Sequence, residues 1–309
     1  MDPSIAFCDS CLPRWGKIAN NAVHQSMRQL FFVTLASTIL LAASPDYKRA
    51  LHLYNRTEYD ASLQLLLHVR QPDAAALLLI GQNYFMMGDA TRAAEVFQQA
   101  ITADPNRSAN YHWIGRAYAR QAEAASMFSA LPLATKSRQN LEKAIELDHK
   151  NIEAANDLFE FYLEAPAFIG GGMEKATRLA VQIAELDAAE GEYAQSEIAR
   201  KKKDFAQEEI HLRRAMELAP RQVGRVIDLA KFLAKQGRFE ESEKMFQAAE
   251  KVDRHAPKIL FARAEAYIEA RRNVEVAKNL LERYLSAQLT PDDPPRSDAR
   301  KLLLQVSGG

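Results

Sequence analysis

Apolar residues recur three and four positions apart through most of the chain, from about residue 45 to residue 289. In the clearest segment, Pro72 to Pro105, Leu77, Ile80 and Tyr84 fall on one side of a helix. This spacing predicts amphipathic helices, because the apolar residues of a half-buried strand would alternate instead. Short polar turns separate the segments, so the pattern predicts a series of antiparallel helix pairs.

The pattern repeats with a fixed period. Gly81 and Gly115 lie 34 residues apart, and a tyrosine follows each glycine three places later, at Tyr84 and Tyr118. Weaker copies bring the total to about seven helix pairs, and the third copy is expected to carry about ten extra residues between its two helices. Since a single helix pair cannot cover its own apolar face, the copies are expected to stack into one continuous core.

The residues of the second copy resemble the tetratricopeptide repeat. With Ala74 as position 1, Gly81 falls at position 8, Ala93 at 20, Phe97 at 24 and Pro105 at 32, as in that family. The resemblance implies an all-α fold, an α-solenoid of stacked antiparallel helix pairs. It covers nearly all of residues 45–289, although the first, fifth and seventh copies depart from the pattern.

The C-terminal residues 290–309 are predicted to form a loop, a capping helix and a tail. The helix is expected to begin at about Ser297, whose side chain can cap it. Leu302, Leu303 and Val306 then give it an apolar side. A solenoid needs such a helix to cover its last exposed core face.

Residues 27–44 have the three-part layout of a secretory signal peptide. Arg28 precedes an uncharged apolar run over residues 30–43, followed by small residues. These 14 residues are short for a bilayer span, which needs roughly 20. We expect an exported protein, periplasmic or secreted; the alternative is an inner-membrane anchor formed by residues 30–43. Translation is then expected to start at Met27 rather than Met1, with residues 1–26 as a disordered upstream extension.

Composition argues against several kinds of function. The 40 basic and 40 acidic residues balance, which removes the electrostatic case for nucleic acid. Cys8 and Cys11 form a C-x-x-C pair, but the chain has no further cysteine for a zinc site and no βαβ context for a redox site. No histidine pair has zinc-binding spacing. We therefore expect no catalytic residue, no metal and no cofactor.

The triplet Gly170–Gly172 raises the alternatives of a phosphate loop, a hinge and a long turn. A phosphate loop would place Lys-Ser or Lys-Thr directly after the last glycine, whereas Met173 and Glu174 follow here. The segment carries about five more residues than the matching turn of the second copy. A long turn is therefore the prediction.

The resemblance also implies a binding groove, because the first helix of each pair lines the concave side in that family. We expect a protein or peptide partner there, and the basic residues suggest an acidic one. Ordinary solvated helix surface explains any single one of these residues equally well. The residues at the groove positions are Gln82, Phe85, His112, Arg116, Arg120, Asn156, Glu160, Tyr193, Glu197, Lys201, Lys231, Lys235 and Glu265.

These features predict a non-catalytic scaffold or adaptor of the cell envelope. The first alternative is a module that binds an envelope glycan or a small ligand, with Phe85, Tyr193 and Phe261 as stacking platforms. The second is an enzyme that uses the loop from Phe168 to Gly172. Membrane contact is expected only through the N-terminal segment, if it is not cleaved.

Overall fold

The structure is a computed structural model, and it describes residues 45–307. The expectations for the signal-like segment, the start of translation and the pair Cys8 and Cys11 lie outside the described residues.

Helices make up the fold, and the described residues contain no strand. The predicted all-α solenoid is thereby confirmed. A short 3-10 helix, Ala167–Ile169, interrupts the series. The α-helices are α1 Pro45–Asn55, α2 Tyr59–Leu67, α3 Ala74–Met86, α4 Ala90–Ala103, α5 Ser108–Ala124, α6 Met127–Leu147, α7 Ile152–Glu164, α8 Met173–Leu186, α9 Ala188–Lys201, α10 Phe205–Leu218, α11 Val223–Lys235, α12 Phe239–Val252, α13 Pro257–Glu269, α14 Val274–Ser286 and α15 Arg296–Ser307.

The helices form seven consecutive pairs, α1 with α2 through α13 with α14, and α15 follows as a cap. From α3 onward, the first helix of most pairs also touches the first helix of the next, as α3 touches α5 and α11 touches α13. Second helices of consecutive pairs do not approach each other in this way within residues 45–307. The first helices are therefore the crowded inner layer, and the array curves around them.

Small residues allow the helices of a pair to pack closely, as the sequence predicts. A Cβ atom on Gly81 would lie 2.3 Å from Cε1 of Phe97, and one on Gly115 would lie 2.9 Å from Cγ of Leu141. Ala93 and Phe97 are fully buried. The fixed period of the pattern thus corresponds to one recurring contact between the two helices of a pair.

Asparagine and aspartate side chains start several helices. The side chain of Asp73 accepts a hydrogen bond from the backbone N–H of Ala76, and Asn151 does the same for Ala154. Such caps satisfy backbone donors that have no partner inside the helix. Asp187 both follows α8 and caps α9, so the link between these two pairs is very short.

The third pair is longer than its neighbours. Its helices α5 and α6 have 17 and 21 residues, compared with 13 and 14 in α3 and α4. About ten extra residues were expected between the two helices, and that placement was wrong. Only Ala125 and Ser126 separate them, because the additional residues continue the helical pattern and extend both helices.

The segment between α7 and α8 is a long turn, as predicted. Pro166 follows the end of α7, and Gly170 and Gly172 have φ angles of +98° and +136°, which glycine adopts without steric cost. At Gly171 a Cβ atom would lie 1.9 Å from the carbonyl oxygen of Ala165. All three glycines are therefore explained by the backbone conformation of this turn, through positive φ angles at two of them and a close backbone contact at the third.

The cap α15 covers the end of the core. Ala299 is fully buried, and Leu302, Leu303 and Val306 pack against the last pair, as predicted. The expected role of Ser297 was wrong: the helix begins at Arg296, and the Ser297 hydroxyl contacts the Asp298 side chain. Pro295 immediately precedes this start, a place where the missing N–H of proline costs the helix no hydrogen bond.

The two ends of the described chain meet. The Gln288 side chain donates a hydrogen bond of 3.0 Å to the carbonyl oxygen of Arg56, and Nη1 of Arg296 donates one of 3.2 Å to the Thr57 hydroxyl. We call these two bonds the clasp. They join the turn of the first pair to the segment before the cap and to the first residue of the cap, so the first pair meets the end of the array.

Candidate binding groove

The thirteen residues predicted for the groove all lie on first helices, from α3 to α13. Two adjoining cavities on this inner layer bring some of them together. The predicted residues that line the cavities are Phe85, Arg116, Arg120, Asn156, Glu160, Tyr193 and Glu197.

The first cavity has a volume of about 530 Å³ and lies between α3, α5, α6 and α7. The second has a volume of about 360 Å³ and lies between α7 and α9. Asp157, Glu160 and Glu164 line both cavities, so the two adjoin each other along α7. We call this combined concavity the groove centre.

An aromatic wall with a fixed guanidinium group bounds the first cavity. Phe85 packs edge-on against Trp113, with ring centroids 5.5 Å apart. The Arg116 guanidinium lies over both rings, 5.1 Å from Phe85 and 4.5 Å from Trp113. Its Nε is also 3.5 Å from the Asp157 carboxylate. Arg116 therefore already has partners within the fold.

The lysines of the later pairs do not form a free basic run. Nζ of Lys231 lies 2.7 Å from the Glu265 carboxylate, and Nζ of Lys201 lies 2.6 Å from that of Glu164. Lys235 is 3.8 Å from Glu269. Each ion pair joins one first helix to a neighbouring first helix, so these lysines already have partners within the fold.

Two further predicted positions are not available to a ligand. His112 is buried, and its Nε2 lies 2.7 Å from the Asp157 carboxylate. Phe261, expected as a stacking platform, is also buried and packs against Tyr284 at 5.3 Å. Tyr193 does line the second cavity, but the Arg225 guanidinium lies over its ring at 4.2 Å.

Carboxylates outnumber cations in the groove centre, because six carboxylate side chains line it and only three guanidinium groups do. The carboxylates are those of Glu123, Asp157, Glu160, Glu164, Glu190 and Glu197, and the guanidinium groups are those of Arg116, Arg120 and Arg200.

The pKa values reflect this surplus of negative charge. Partial desolvation raises the pKa of Glu160, although the residue remains exposed. The nearby carboxylates of Asp157 and Glu164 raise this pKa further, while Arg200 opposes the shift. Burial also raises the pKa of Glu197 to about 7, although Arg200 opposes the shift. A positively charged neighbour would stabilise the ionised form of both carboxyl groups.

Sequence reasoning missed several residues of the groove centre. Asp157, Phe161 and Glu164 line the first cavity, and their i, i+4, i+7 spacing places them on one face of α7. That spacing could have identified them. The positions transferred from the family pattern identified only Asn156 and Glu160 on this helix.

Metal sites and membrane spans are absent from the described part of the chain. Within residues 45–307, no group of histidine, cysteine, aspartate and glutamate residues could hold a metal ion. In the same residues no helix is both long enough and apolar enough to cross a membrane.

Comparison with known proteins identifies the kind of repeat. A family model of the tetratricopeptide repeat matches residues 43–108 and 227–294. A tetratricopeptide repeat protein of Parabacteroides merdae has a similar structure, with a TM-score of 0.56, 10% identity, and coverage of 85% of this chain and 98% of its own. A thermophilic protein of the same kind from Thermus thermophilus has a TM-score of 0.52 and 19% identity, and covers 61% and 97%. A search of curated proteins found no match to this sequence.

Proposed function

We propose that this chain, a tetratricopeptide repeat protein, is a non-catalytic scaffold or adaptor that holds a segment of a partner protein in the groove centre. The observation that carries the proposal is the pair of adjoining cavities formed by the first helices of the second to fifth pairs together with α6. Proteins built from such repeats present extended concave surfaces for binding. The assignment of scaffold rests on the fold family, while the place of binding rests on the cavities.

The place of action that we propose is the cell envelope. Its support is the signal-like layout of residues 27–44, with one arginine, an apolar run and small residues. Fractionation of the native host tests this: we expect the protein in the envelope, and a variant that keeps Met27 but lacks residues 28–44 in the cytoplasm. Equal distribution of the two forms would contradict export by this segment.

Site-specific photocrosslinking tests the groove. A photoreactive phenylalanine analogue replaces Ala119, which lines the first cavity, and in a control it replaces Glu185, which is exposed on the second helix of the fourth pair. We expect crosslinked partner proteins from position 119 that are absent from position 185. Equal products from both positions, or none from position 119, would contradict binding in the groove centre.

A further inference from the structure

Glu160 is the carboxylate of the groove centre that has no ion-pair partner among residues 45–307, although the charge of Arg200 acts on it from nearby. It lies at the border of the two cavities. Its neighbours are occupied, since Asp157 contacts His112 and Arg116, and Glu164 contacts Lys201. No ion pair or hydrogen bond of the Glu160 side chain occurs within residues 45–307. A carboxylate among other carboxylates attracts a cation from outside the fold.

A second polar group of the first cavity also lacks a partner. Ser137 lines this cavity, is only 1% exposed, and its hydroxyl makes no hydrogen bond with any described residue. Buried hydroxyl groups nearly always have a partner, because leaving one unpaired costs about 1–3 kcal/mol. The hydroxyl oxygen is itself buried, so a ligand group would reach it only when the Ser137 side chain turns toward the cavity.

The apolar part of the cavity lining can pack against the methylene chain and the planar guanidinium group of an arginine side chain. Phe161, Leu141 and Ile169 line the first cavity together with Phe85. A guanidinium group stacks favourably on an aromatic face, and its five donors can satisfy a carboxylate and a hydroxyl together. Arg116 and Arg120 do not supply this group, because they already contact Asp157 and Glu123.

We propose that the groove centre recognises an arginine side chain on a partner segment, with its guanidinium paired to Glu160 and bonded to the Ser137 hydroxyl once that side chain turns toward the cavity. The first cavity, at about 530 Å³, lies in the size range of specific ligand pockets. This inference rests on the proposed scaffold function and adds the chemistry of the partner. It replaces the acidic partner that the sequence suggested.

Fluorescence anisotropy with the full chain tests the inference. The probes are three labelled peptides with one variable residue, acetyl-Ala-Leu-X-Leu-Ala-amide, where X is arginine, uncharged citrulline of nearly the same shape, or glutamate. We expect the arginine peptide to bind at least roughly tenfold more tightly than the citrulline peptide, as a charge-assisted pair requires. The glutamate peptide should bind more weakly still.

Matched variants assign the preference to residues. Glu160→Gln should abolish the advantage of arginine over citrulline, and Ser137→Ala should reduce affinity for the arginine peptide several-fold. The control Glu185→Gln changes an exposed carboxylate on α8 and should leave both affinities unchanged. Circular dichroism melts of each variant check that a loss of binding does not reflect a loss of folding.

The outcomes separate this inference from the proposed function. Equal affinity for arginine and citrulline, with both lost in a cavity-filling Ala119→Trp variant, would overturn arginine recognition while retaining the groove. An arginine preference that persists in Glu160→Gln would also overturn it. If no peptide binds, the inference fails, and photocrosslinking at position 119 still decides whether the groove holds a partner.

Discussion

Gly81 occupies a place where the ring of Phe97 leaves no room for a side chain, since a Cβ atom would lie 2.3 Å from that ring. Phe97 is fully buried and cannot move aside without disturbing the core. We therefore expect Gly81→Ala to destabilise the protein by about 1–3 kcal/mol through overpacking.

Gly224 provides the control for this substitution. It also lies in a helix, α11, but a Cβ atom there would have no neighbour within 4 Å. Gly224→Ala should be neutral or stabilise by up to about 1 kcal/mol, because alanine has the higher helix propensity. Thermal melts of the two variants make the comparison, and equal melting temperatures would contradict the register of the second pair.

Glu197 makes stability depend on pH. Its pKa is raised from 4.5 to about 7 in the folded protein, so the folded state holds the proton more tightly than the unfolded state does. The stability that this carboxyl contributes is complete below pH 4.5 and is lost as pH rises through 7.

We accordingly expect Glu197→Gln to be about 1–2 kcal/mol more stable than the parent at about pH 8 and nearly equal to it at about pH 4. The gain is limited because glutamine loses the ion pair with Arg200. Melts at both pH values measure this difference. A variant that is less stable at the higher pH would show that the ion pair outweighs the cost of burial.

At the residue scale, the sequence predicted contacts that repeat and failed for contacts that do not. One copy of the repeat predicts the same contacts in the others, because Gly81, Ala93 and Phe97 occupy periodic positions. His112 and Phe261 were assigned to the groove by the same periodicity, but both are buried. A small rotation of a first helix moves a residue from the groove wall into the core, and periodicity alone does not determine that rotation.

Ion pairs between successive first helices connect the elements of the solenoid. Lys231 on α11 and Glu265 on α13 lie 34 residues apart in sequence, 2.7 Å apart in space, and 32% and 26% of their side chains are accessible. A double-mutant cycle with Lys231→Met and Glu265→Gln should give a coupling free energy of about 0.5–1 kcal/mol.

The pair Lys301 and Asp298 is the control for this cycle. It lies within α15 and is exposed, with 78% and 45% of the side chains accessible. Its coupling should be close to zero, because exposed ion pairs are solvated and contribute little. If both cycles give the same value, the pairs between first helices do not contribute to stacking.

At the element scale, the helix pairs could be predicted from the sequence. The lengths of the individual helices could be predicted only for some of the pairs. The glycines at 170–172 and the nearby proline made the long turn visible. The extension of α5 and α6 was missed, because the extra residues of the third copy were expected in the turn, whereas they continue the helical spacing. That extension supplies part of the first cavity, through Ala134 and Ser137.

At the scale of the whole molecule, the clasp holds the two ends of the array together. Thr57 has a φ of +60°, so Thr57→Gly fits the backbone and removes the hydroxyl that accepts from Arg296. Combined with Gln288→Ala, it removes both bonds. We expect spin labels at positions 64 and 301, in a background of Cys8→Ser and Cys11→Ser, to show a longer and broader distance distribution.

Lys203 allows a control for the clasp variant. It also has a φ of +60°, in the equivalent turn of the fifth pair, so Lys203→Gly changes the backbone in the same way without touching the clasp. The distances should then match the parent. A clasp variant whose distances also match the parent would show that other contacts hold the ends together.

The clasp could not have been predicted from the sequence. Its partners are separated by 232 and 239 residues, and their meeting depends on the rotation accumulated over seven pairs. A change of a few degrees per pair would separate the two ends. Repeat patterns determine the contact between neighbouring helix pairs, but they do not determine the total rotation over seven pairs.

The clasp also affects where the protein begins to unfold. In a linear array each inner pair has two neighbours and each end pair has one, so fraying starts at the ends. Here the turn after α1 has a second neighbour in the segment before α15. The ends are thereby protected from opening first. Unfolding is then expected to begin at the longest connection within the seven pairs, the glycine turn between α7 and α8 beside the groove centre.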